Sequence, residues 1–222
     1  MLLVPYLAGL LAAGYRWPDV PLLGAWLSGY LLSYFALLSI KSRRPARYRV
    51  QLLGYAAVAA PLAAVVVLVR PRVLLFAPGF AVLLAVNAWY AARRRERALG
   101  NGVASVLQSC LLILVVATIA GHLTGAAVGA FVLCLAYFTG TVFYVKTMIR
   151  ERDNVAYRWW SVGYHLLALP VAALVSPWAG GLFLWLLVRA WLLPGRGLAP
   201  VRVGLLEMLH CLLLLACVTV LA

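Results

Sequence analysis

Charged side chains are scarce in this sequence, and acidic ones are the scarcest. Asp and Glu together number 5 and Lys and Arg 19 in 222 residues, so 11% of the chain is charged and 66% is hydrophobic. The mean hydropathy is +1.02. Soluble globular domains carry about 25% charged residues. The composition therefore argues against a water-soluble fold and predicts an all-α, polytopic integral membrane protein.

Paired metal-binding motifs are also absent from the sequence. The cysteines Cys110, Cys134, Cys211 and Cys217 all lie in apolar segments, and none belongs to a Cys-x-x-Cys or Cys/His pattern. We interpret them as small apolar packing residues rather than metal ligands.

The N-terminal segment MLLVPYLAGLLAAG lacks the basic region of a cleavable signal peptide and leads into further apolar spans. A helix of this length rises about 21 Å, less than the ~30 Å hydrocarbon core of a bilayer. We expect that the first helix is tilted or partial, or that the natural N-terminus lies upstream of Met1.

Apolar segments separated by Pro, Gly and charged residues predict nine transmembrane helices in a single domain, residues 1–222. Pro71 and Arg72 separate two of these helices so briefly that they must form an antiparallel hairpin, and Ser176 and Pro177 do the same for another two. The predicted spans are residues 1–14, 20–40, 50–69, 73–92, 103–121, 124–147, 159–175, 178–193 and 202–221.

Basic residues are distributed asymmetrically among the predicted connections. The connections after even-numbered helices are predicted to hold every Lys and Arg residue except three, Arg16, Arg70 and Arg72. Arg189 is counted among the residues of these connections. By the positive-inside rule, the rich face and the N-terminus lie in the cytoplasm and the C-terminus lies outside the bacterial inner (cytoplasmic) membrane. We attribute the net charge of +14 to loops that face the bilayer and its anionic lipids, not to nucleic-acid binding.

Polar residues recur at helical spacing near the predicted cytoplasmic ends of several helices. Polar groups in hydrocarbon are costly, so they point to an internal site. We expect them to converge into a polar, cationic chamber; the alternative is a set of separate interhelical hydrogen bonds and interfacial residues. The main examples are Asn87, Arg94 and Arg97 on helix 4, Asn101 on helix 5, Tyr144 and Glu151 on helix 6, His165 on helix 7, and Glu207 and His210 on helix 9.

Glu207 and His210 lie one turn apart on predicted helix 9, with Arg202 near enough to offset the charge of Glu207. A carboxylate and an imidazole in this arrangement favour proton transfer. The alternative is a structural ion pair or a neutral hydrogen-bonded pair.

The sequence resembles the YwiC-like family of bacterial membrane proteins, most clearly in the stretches LLVPYLAGLLAAG, RERALGNGVASVLQSC and YFTGTVFYVKTMIRERDNVAYRWWSVGYH. The resemblance extends over nearly the whole chain. Members of that family usually begin with a His-Gly-x-Trp segment, which does not precede LLVPYLAG here. The resemblance implies a polytopic bacterial membrane protein and no particular reaction.

The predicted layout is also similar to that of the UbiA family of intramembrane prenyltransferases, which implies a prenyl diphosphate held through Mg²⁺ by Asp-rich motifs in the loops after helices 2 and 6. This sequence departs from that pattern, because the first loop, KSRRPARYR, has no acid and the second has only Glu151 and Asp153. No cofactor is otherwise evident, and Mg²⁺ lacks the carboxylates that it prefers. Arginine can instead bind diphosphate oxygens directly.

Three functions stay open. The first is a UbiA-like binder or transferase of an isoprenoid or other lipid diphosphate. The second is a small proton-coupled transporter with ligands at Glu207, His210 and His165. The third is an accessory or assembly subunit whose basic face docks a membrane-protein partner or anionic lipid. The phosphate-binding candidates are Asn87, Arg94, Arg97, Asn101, Lys146, Arg150 and Arg152, and the catalytic candidates are Glu151, Asp153, Tyr144, His165, Glu207 and His210.

Overall fold

A computed structural model describes residues 2–221. These residues form nine α-helices and no β-strand, which confirms the all-α class. Short 3₁₀ segments, Pro45–Tyr48 and Pro71–Phe76, precede the third and fourth helices. The helices are α1 Val4–Ala13, α2 Asp19–Ser42, α3 Arg49–Val69, α4 Ala77–Ala92, α5 Leu99–Ala120, α6 Gly125–Ile149, α7 Val155–Val175, α8 Pro177–Leu192 and α9 Pro200–Thr219.

The helix ends follow local sequence signals. The α6 N-terminus is capped by Thr124, whose hydroxyl oxygen accepts from the backbone N–H of Ala127 at 3.0 Å. Pro177 and Pro200 begin α8 and α9, where a missing backbone N–H has no structural cost. Gly121 ends α5 with φ at 107°, a conformation that favours glycine.

Helices α5 and α6 form the centre of the bundle, and α1 packs against both. On one side, α2 and α3 form a hairpin that reaches α5 through α4; on the other, α7, α8 and α9 pack around α6. The largest apolar core joins α1 and α5–α9 around Val106, Leu133 and Phe183. A second core joins α1, α2, α3 and α5 around Tyr6 and Val116. The α5–α6 pair therefore separates two halves of the bundle.

The outer surface of the bundle is apolar. Leu174, Leu68 and Leu75 are 89%, 81% and 78% exposed, as expected for side chains that face lipid. Six helical segments are long and apolar enough to cross a membrane: α2, α5, α6, α9, and α3 and α4 each taken together with the 3₁₀ segment before it. The α1 and α8 helices are shorter and apolar. These features confirm a multi-pass helical membrane protein. Of the nine predicted spans, six have the length and composition needed to cross a membrane.

Helix α1 crosses only part of the bundle. Its 10 residues rise about 15 Å, and the carbonyl of Leu2 accepts from the indole N–H of Trp26 at 3.0 Å. Trp26 lies two turns into α2, so α1 begins well inside the bundle. This arrangement agrees with the expectation of a partial first helix.

The four connections after even-numbered helices meet at one end of the bundle, termed the basic end. Lys41 Nζ lies 2.7 Å from Glu96 Oε1, which joins the α2–α3 and α4–α5 connections. Arg152 Nη2 donates to the carbonyl of Leu198 at 3.1 Å, which joins the α6–α7 and α8–α9 connections. Which side of the membrane this end faces stays a prediction.

Arg189 is an exception to the predicted loop positions of the basic residues. It lies within α8 and is only 2% exposed. Its interpretation as a loop residue is wrong because Glu207 of α9 neutralises its charge inside the bundle.

The contact between α1 and α5 predicts a sensitive glycine. A Cβ at Gly9 would lie 2.9 Å from Cβ of Val116, which is fully buried. We expect Gly9→Ala to lower the free energy of unfolding by about 1–3 kcal/mol, because a well-packed interface must shift to admit the methyl group. Thermal unfolding in detergent, followed by a thiol-reactive dye that reports exposure of buried Cys110 and Cys134, measures the change.

The matched control is Gly181→Ala on α8, where a Cβ meets no atom within 4 Å. Equal melting temperatures for the two variants would contradict the close approach of α1 to α5.

Candidate functional site

The polar residues that were expected to form one chamber instead occupy three adjoining regions near the basic end. An amide groove lies between α2 and the α4–α5 pair. A basic cleft lies between the α4–α5 connection and the end of α6. An ion-pair cluster lies among α6, α8 and α9. Arg97 lines both the groove and the cleft, and Thr141 lines the cleft and contacts the cluster.

The amide groove consists of two joined cavities of about 450 and 360 Å³, which share Tyr34, Leu37, Asn87 and Ser105. Asn87 Nδ2 donates to Gln108 Oε1 at 2.9 Å, and Ser105 Oγ lies 3.4 Å from Asn87 Oδ1. The deeper cavity has a largely apolar wall. Its lining includes Trp26, Tyr30, Leu37, Phe80 and Leu84.

The basic cleft is a cavity of about 240 Å³ lined by Arg97, Lys146 and Arg150. Its one acid, Glu96, accepts from Lys41 at 2.7 Å and is only partly exposed. The hydrogen bond from Lys41 holds the pKa of the Glu96 carboxyl below its ordinary value. The cleft therefore presents three cations, and the one acid in its lining already has a partner.

The ion-pair cluster is built around Glu207, which projects from α9 towards α6 and α8. Arg189 Nη1 donates to Glu207 Oε1, and the side chains are 1% and 13% exposed. Glu207 Oε2 accepts from Thr141 Oγ at 2.9 Å and from the Tyr137 hydroxyl at 3.1 Å. The Arg189 guanidinium also lies 3.9 Å from the centroid of the Tyr144 ring. Both carboxylate oxygens of Glu207 are thus hydrogen-bonded.

His210 is held neutral by its neighbours. Trp185 Nε1 lies 2.9 Å from His210 Nε2, and an indole N–H can only donate, so this ring nitrogen accepts. An imidazolium carries a proton on both nitrogens and would direct one of them at the Trp185 donor. The other ring nitrogen lies 3.3 Å from Arg189 Nη1. The counter-charge of Glu207 is therefore Arg189, rather than Arg202 or His210.

His165 and Tyr144 lie on the inner side of α7 and α6, next to the cluster. His165 is 2% exposed and its Nδ1 lies 2.7 Å from the carbonyl of Ser161, to which it donates. A Cβ built on Gly140 of α6 would lie 3.0 Å from His165 Nε2. The glycine therefore lets α6 approach the imidazole closely.

Several predicted site residues shape the connections instead of lining the cleft. Glu151 Oε2 accepts from Asn154 Nδ2 at 2.9 Å, and Asn154 caps α7. Arg152 donates to the carbonyls of Met148 and Leu198 at 2.5 and 3.1 Å. Asp153 and Arg94 are exposed, and Asn101 lines the groove and donates to the carbonyl of Glu96 at 2.9 Å.

The acids near the basic end do not form the Mg²⁺ site that the UbiA layout implies. Within residues 2–221, no three His, Cys, Asp or Glu side chains are grouped so that they could hold a metal ion. Glu96 is paired with Lys41, and Glu151 is bonded to Asn154. Mg²⁺ prefers several carboxylate oxygens around one point, and the residues present do not fit that requirement.

These features define a multi-pass helical membrane protein with a cationic end and a buried ion pair. The chain belongs to the YwiC-like family, whose model, described as YwiC-like protein, matches residues 1–118. The family predicted from the sequence is thus confirmed, and the likeness to UbiA stays a prediction.

Two relatives match almost the whole chain. A protein of Bacillus subtilis (strain 168) named "Uncharacterized protein YwiC" is 33% identical over 224 residues, which cover 97% of this chain and 91% of that protein. An "Uncharacterized protein" of Haemophilus influenzae (strain ATCC 51907 / DSM 11121 / KW20 / Rd) is 32% identical over 217 residues, 93% of this chain and 88% of that protein. No solved structure matches the chain.

Sequence reasoning did not identify Arg189 and Trp185 as parts of the site. The signal was present, because Arg189 stands inside the apolar run LFLWLLVRAWLL, whereas the loop arginines stand among other polar residues. A lone arginine in such a run indicates a buried acidic partner.

The ion pair predicts strong coupling between α8 and α9. We expect Arg189→Gln to lower the free energy of unfolding by about 3–5 kcal/mol, because the Glu207 carboxylate is left buried without a counter-charge. The double variant Arg189→Gln/Glu207→Gln should lose less free energy of unfolding than the two single variants lose in sum. Unfolding in a mixed-micelle titration with sodium dodecyl sulfate measures all three variants.

Arg196→Gln, an exposed arginine in the α8–α9 connection, is the control and should change stability by less than about 0.5 kcal/mol. Additive single changes at Arg189 and Glu207 would show that the two side chains are not paired.

The Lys41–Glu96 pair predicts a small pH-dependent contribution. Because the folded-state pKa of Glu96 is lowered, the pair stabilises the fold above the unfolded pKa of about 4.3. This contribution is lost as the pH falls through the lower folded value. Both side chains are partly solvated, so Lys41→Gln should cost less than about 1 kcal/mol at neutral pH. Unfolding curves of the wild type and variant should converge in acid, and a gap that widens in acid would contradict this sign.

Proposed function

We propose that this protein binds an amphiphile with a phosphate-bearing head group, of the isoprenoid or lipid diphosphate class. The head lies in the basic cleft and the apolar part lies in the amide groove. The observation that carries the proposal is the convergence on one cavity of Arg97, from the α4–α5 connection, and of Lys146 and Arg150, from the C-terminal end of α6.

The charges of the basic cleft favour phosphate. Arginine presents a planar fork of donors that matches two phosphate oxygens, and lysine adds a compact positive charge. Arg97 and Arg150 approach the cavity from different elements, so they can contact different oxygens of a diphosphate. Glu96 lies beside them, but its pairing with Lys41 reduces its repulsion of an anion.

The groove supports a ligand with an apolar part. Its two cavities lie within the range of about 300–1,000 Å³ that is typical of small-molecule sites. Arg97 lines both the cleft and the shallower cavity, so a head group bound there can extend its chain into the groove. Asn87 and Gln108 use part of their hydrogen-bonding capacity on each other, which lowers the cost of apolar contact.

The proposal is one of binding and not of a transfer reaction. Neither Glu151 nor Asp153 lines the basic cleft. A basic face alone would also attract anionic lipid without any defined site, as an accessory subunit requires. Binding at a defined site depends on which arginine is removed. Attraction of anionic lipid to a basic surface does not.

The test measures binding of labelled farnesyl diphosphate to the protein in neutral detergent. We expect Arg150→Gln and Lys146→Gln each to weaken binding at least about tenfold, because each removes a charge-assisted hydrogen bond of about 1.5–3 kcal/mol. Inorganic diphosphate and farnesol, which supply the head or the tail alone, should both bind more weakly than the intact probe.

Arg196→Gln removes the same charge from the same end of the bundle and should leave binding unchanged. If Arg196→Gln and Arg150→Gln weakened binding of the probe equally, the binding would be explained by attraction to the basic surface alone. Binding of farnesol as tight as that of farnesyl diphosphate would exclude the head-group cleft.

A further inference from the structure

Arg189 uses only part of its hydrogen-bonding capacity on Glu207. The ion pair engages Nη1, whereas Nε and Nη2 are buried and have no hydrogen-bond partner in the described part of the chain. These two nitrogens form one edge of the guanidinium plane. That edge presents parallel N–H donors and is the one that binds a carboxylate in bidentate fashion.

Three further buried polar atoms near Arg189 also have no partner within residues 2–221: the Tyr144 hydroxyl, His165 Nε2 and Ser161 Oγ. All three side chains are at most 2% exposed. Arg189 lies on the Tyr144 ring, and Gly140, one turn from Tyr144, faces His165 Nε2. Ser161 lies one turn from His165 on α7. The unpartnered atoms thus come from adjoining faces of α6, α7 and α8.

A partner other than a side chain would satisfy this concentration of unpartnered atoms best. A buried polar group without a hydrogen bond costs about 1–3 kcal/mol, and water is scarce in the hydrocarbon region. Other polar groups in this half of the bundle do find partners, as Tyr137 and Thr141 do on Glu207.

We propose that Arg189, Tyr144 and His165 form a second binding site, for a small carboxylate, separate from the basic cleft. The Nε–Nη2 edge of Arg189 binds the two carboxylate oxygens, and the Tyr144 hydroxyl donates to one of them. Gly140 places no side chain against His165 Nε2, where a Cβ would lie 3.0 Å away. Thr141, which lines the basic cleft and contacts Glu207, marks the side from which the site is reached.

The charge balance of the site couples binding to a proton. Glu207 already neutralises Arg189, so a second carboxylate alone would leave one uncompensated negative charge in a medium of low dielectric. His165 Nδ1 donates to Ser161, so in the neutral ring Nε2 carries a lone pair that would repel the bound oxygens. A proton taken from water onto Nε2 converts it into a donor. Two cations then face two carboxylates.

The groups around His165 are consistent with this assignment. Gly140 of α6 faces it, Ser161 and Tyr164 lie beside it on its own helix, and the Arg189 cation of α8 acts on it electrostatically. Tyr144 lies one turn from Gly140 on α6. A proton on His165 without the ligand would place a second buried cation beside Arg189. A bound carboxylate compensates that second charge, so binding takes up about one proton and weakens as the pH rises.

The test is calorimetric binding of acetate to the protein in phosphatidylcholine nanodiscs, in buffers of different ionisation enthalpy, at about pH 6 and about pH 8, on either side of the ordinary imidazole pKa of ~6.5. We expect saturable binding with uptake of about one proton and weaker affinity at the higher pH. His165→Gln should abolish the proton uptake and the pH dependence, because its amide cannot take up a proton. Tyr144→Phe should weaken binding several-fold.

His122→Gln, at an exposed histidine in the α5–α6 connection, is the matched control and should leave acetate binding and its proton uptake unchanged. Arg150→Gln should also leave them unchanged, since it tests the basic cleft. An unfolding curve for each variant separates loss of the site from loss of the fold.

Three results would overturn the proposal. Absence of saturable acetate binding at millimolar concentrations would show that water alone occupies the site. Binding of inorganic phosphate without binding of acetate would contradict the carboxylate assignment. Proton uptake that persists in His165→Gln would place the proton elsewhere.

Discussion

The Arg189–Glu207 ion pair is the interaction on which one half of this bundle depends. Hydrocarbon offers no water to solvate a charge, so each of these side chains requires the other. Glu207 also accepts hydrogen bonds from the hydroxyls of Tyr137 and Thr141, so it holds α9 against α6 as well as α8. Apolar packing in lipid is weakly directional, because lipid tails resemble leucine side chains. The pair therefore supplies specificity that the abundant Leu, Val and Ala contacts do not.

In the other half of the bundle, the amide groove meets the same constraint without charge. Asn87, Ser105 and Gln108 satisfy one another as neutral groups within a groove lined by aromatic and aliphatic side chains. Neutral amides are cheaper to keep beside an apolar ligand than ions are. The cations of this region stay at the basic end, where Arg97 lies between groove and cleft. The polarity of the lining thus falls with depth, which supports the proposed binding of an amphiphile.

Much of the fold could be predicted from the sequence, because Pro, Gly and charge punctuate the apolar runs. Nine helices form, and the structure starts α7 at Val155, whereas the predicted span begins at residue 159. That shift arises from the Asn154 cap, a local hydrogen bond that hydropathy does not register. The site was less predictable. Helical spacing places Glu207 and His210 on one face, but the partner, Arg189, lies on another helix and pairs only through tertiary packing. Spacing also cannot show that Arg152 binds backbone carbonyls.

The positions of Thr141 and Arg97 explain why the three polar regions adjoin and yet remain distinct. Thr141 lies on the wall between the basic cleft and Glu207, and its hydroxyl bonds the carboxylate at 2.9 Å. Thr141 is neutral, so it separates the cleft from Glu207 without adding a charge to the cleft wall. The cleft cations are in turn not neutralised by Glu207, because Arg189 occupies the carboxylate first. Burying one arginine with the acid leaves the remaining arginines free to attract an anion. The scarcity of acidic residues in the sequence is therefore what keeps the basic end cationic.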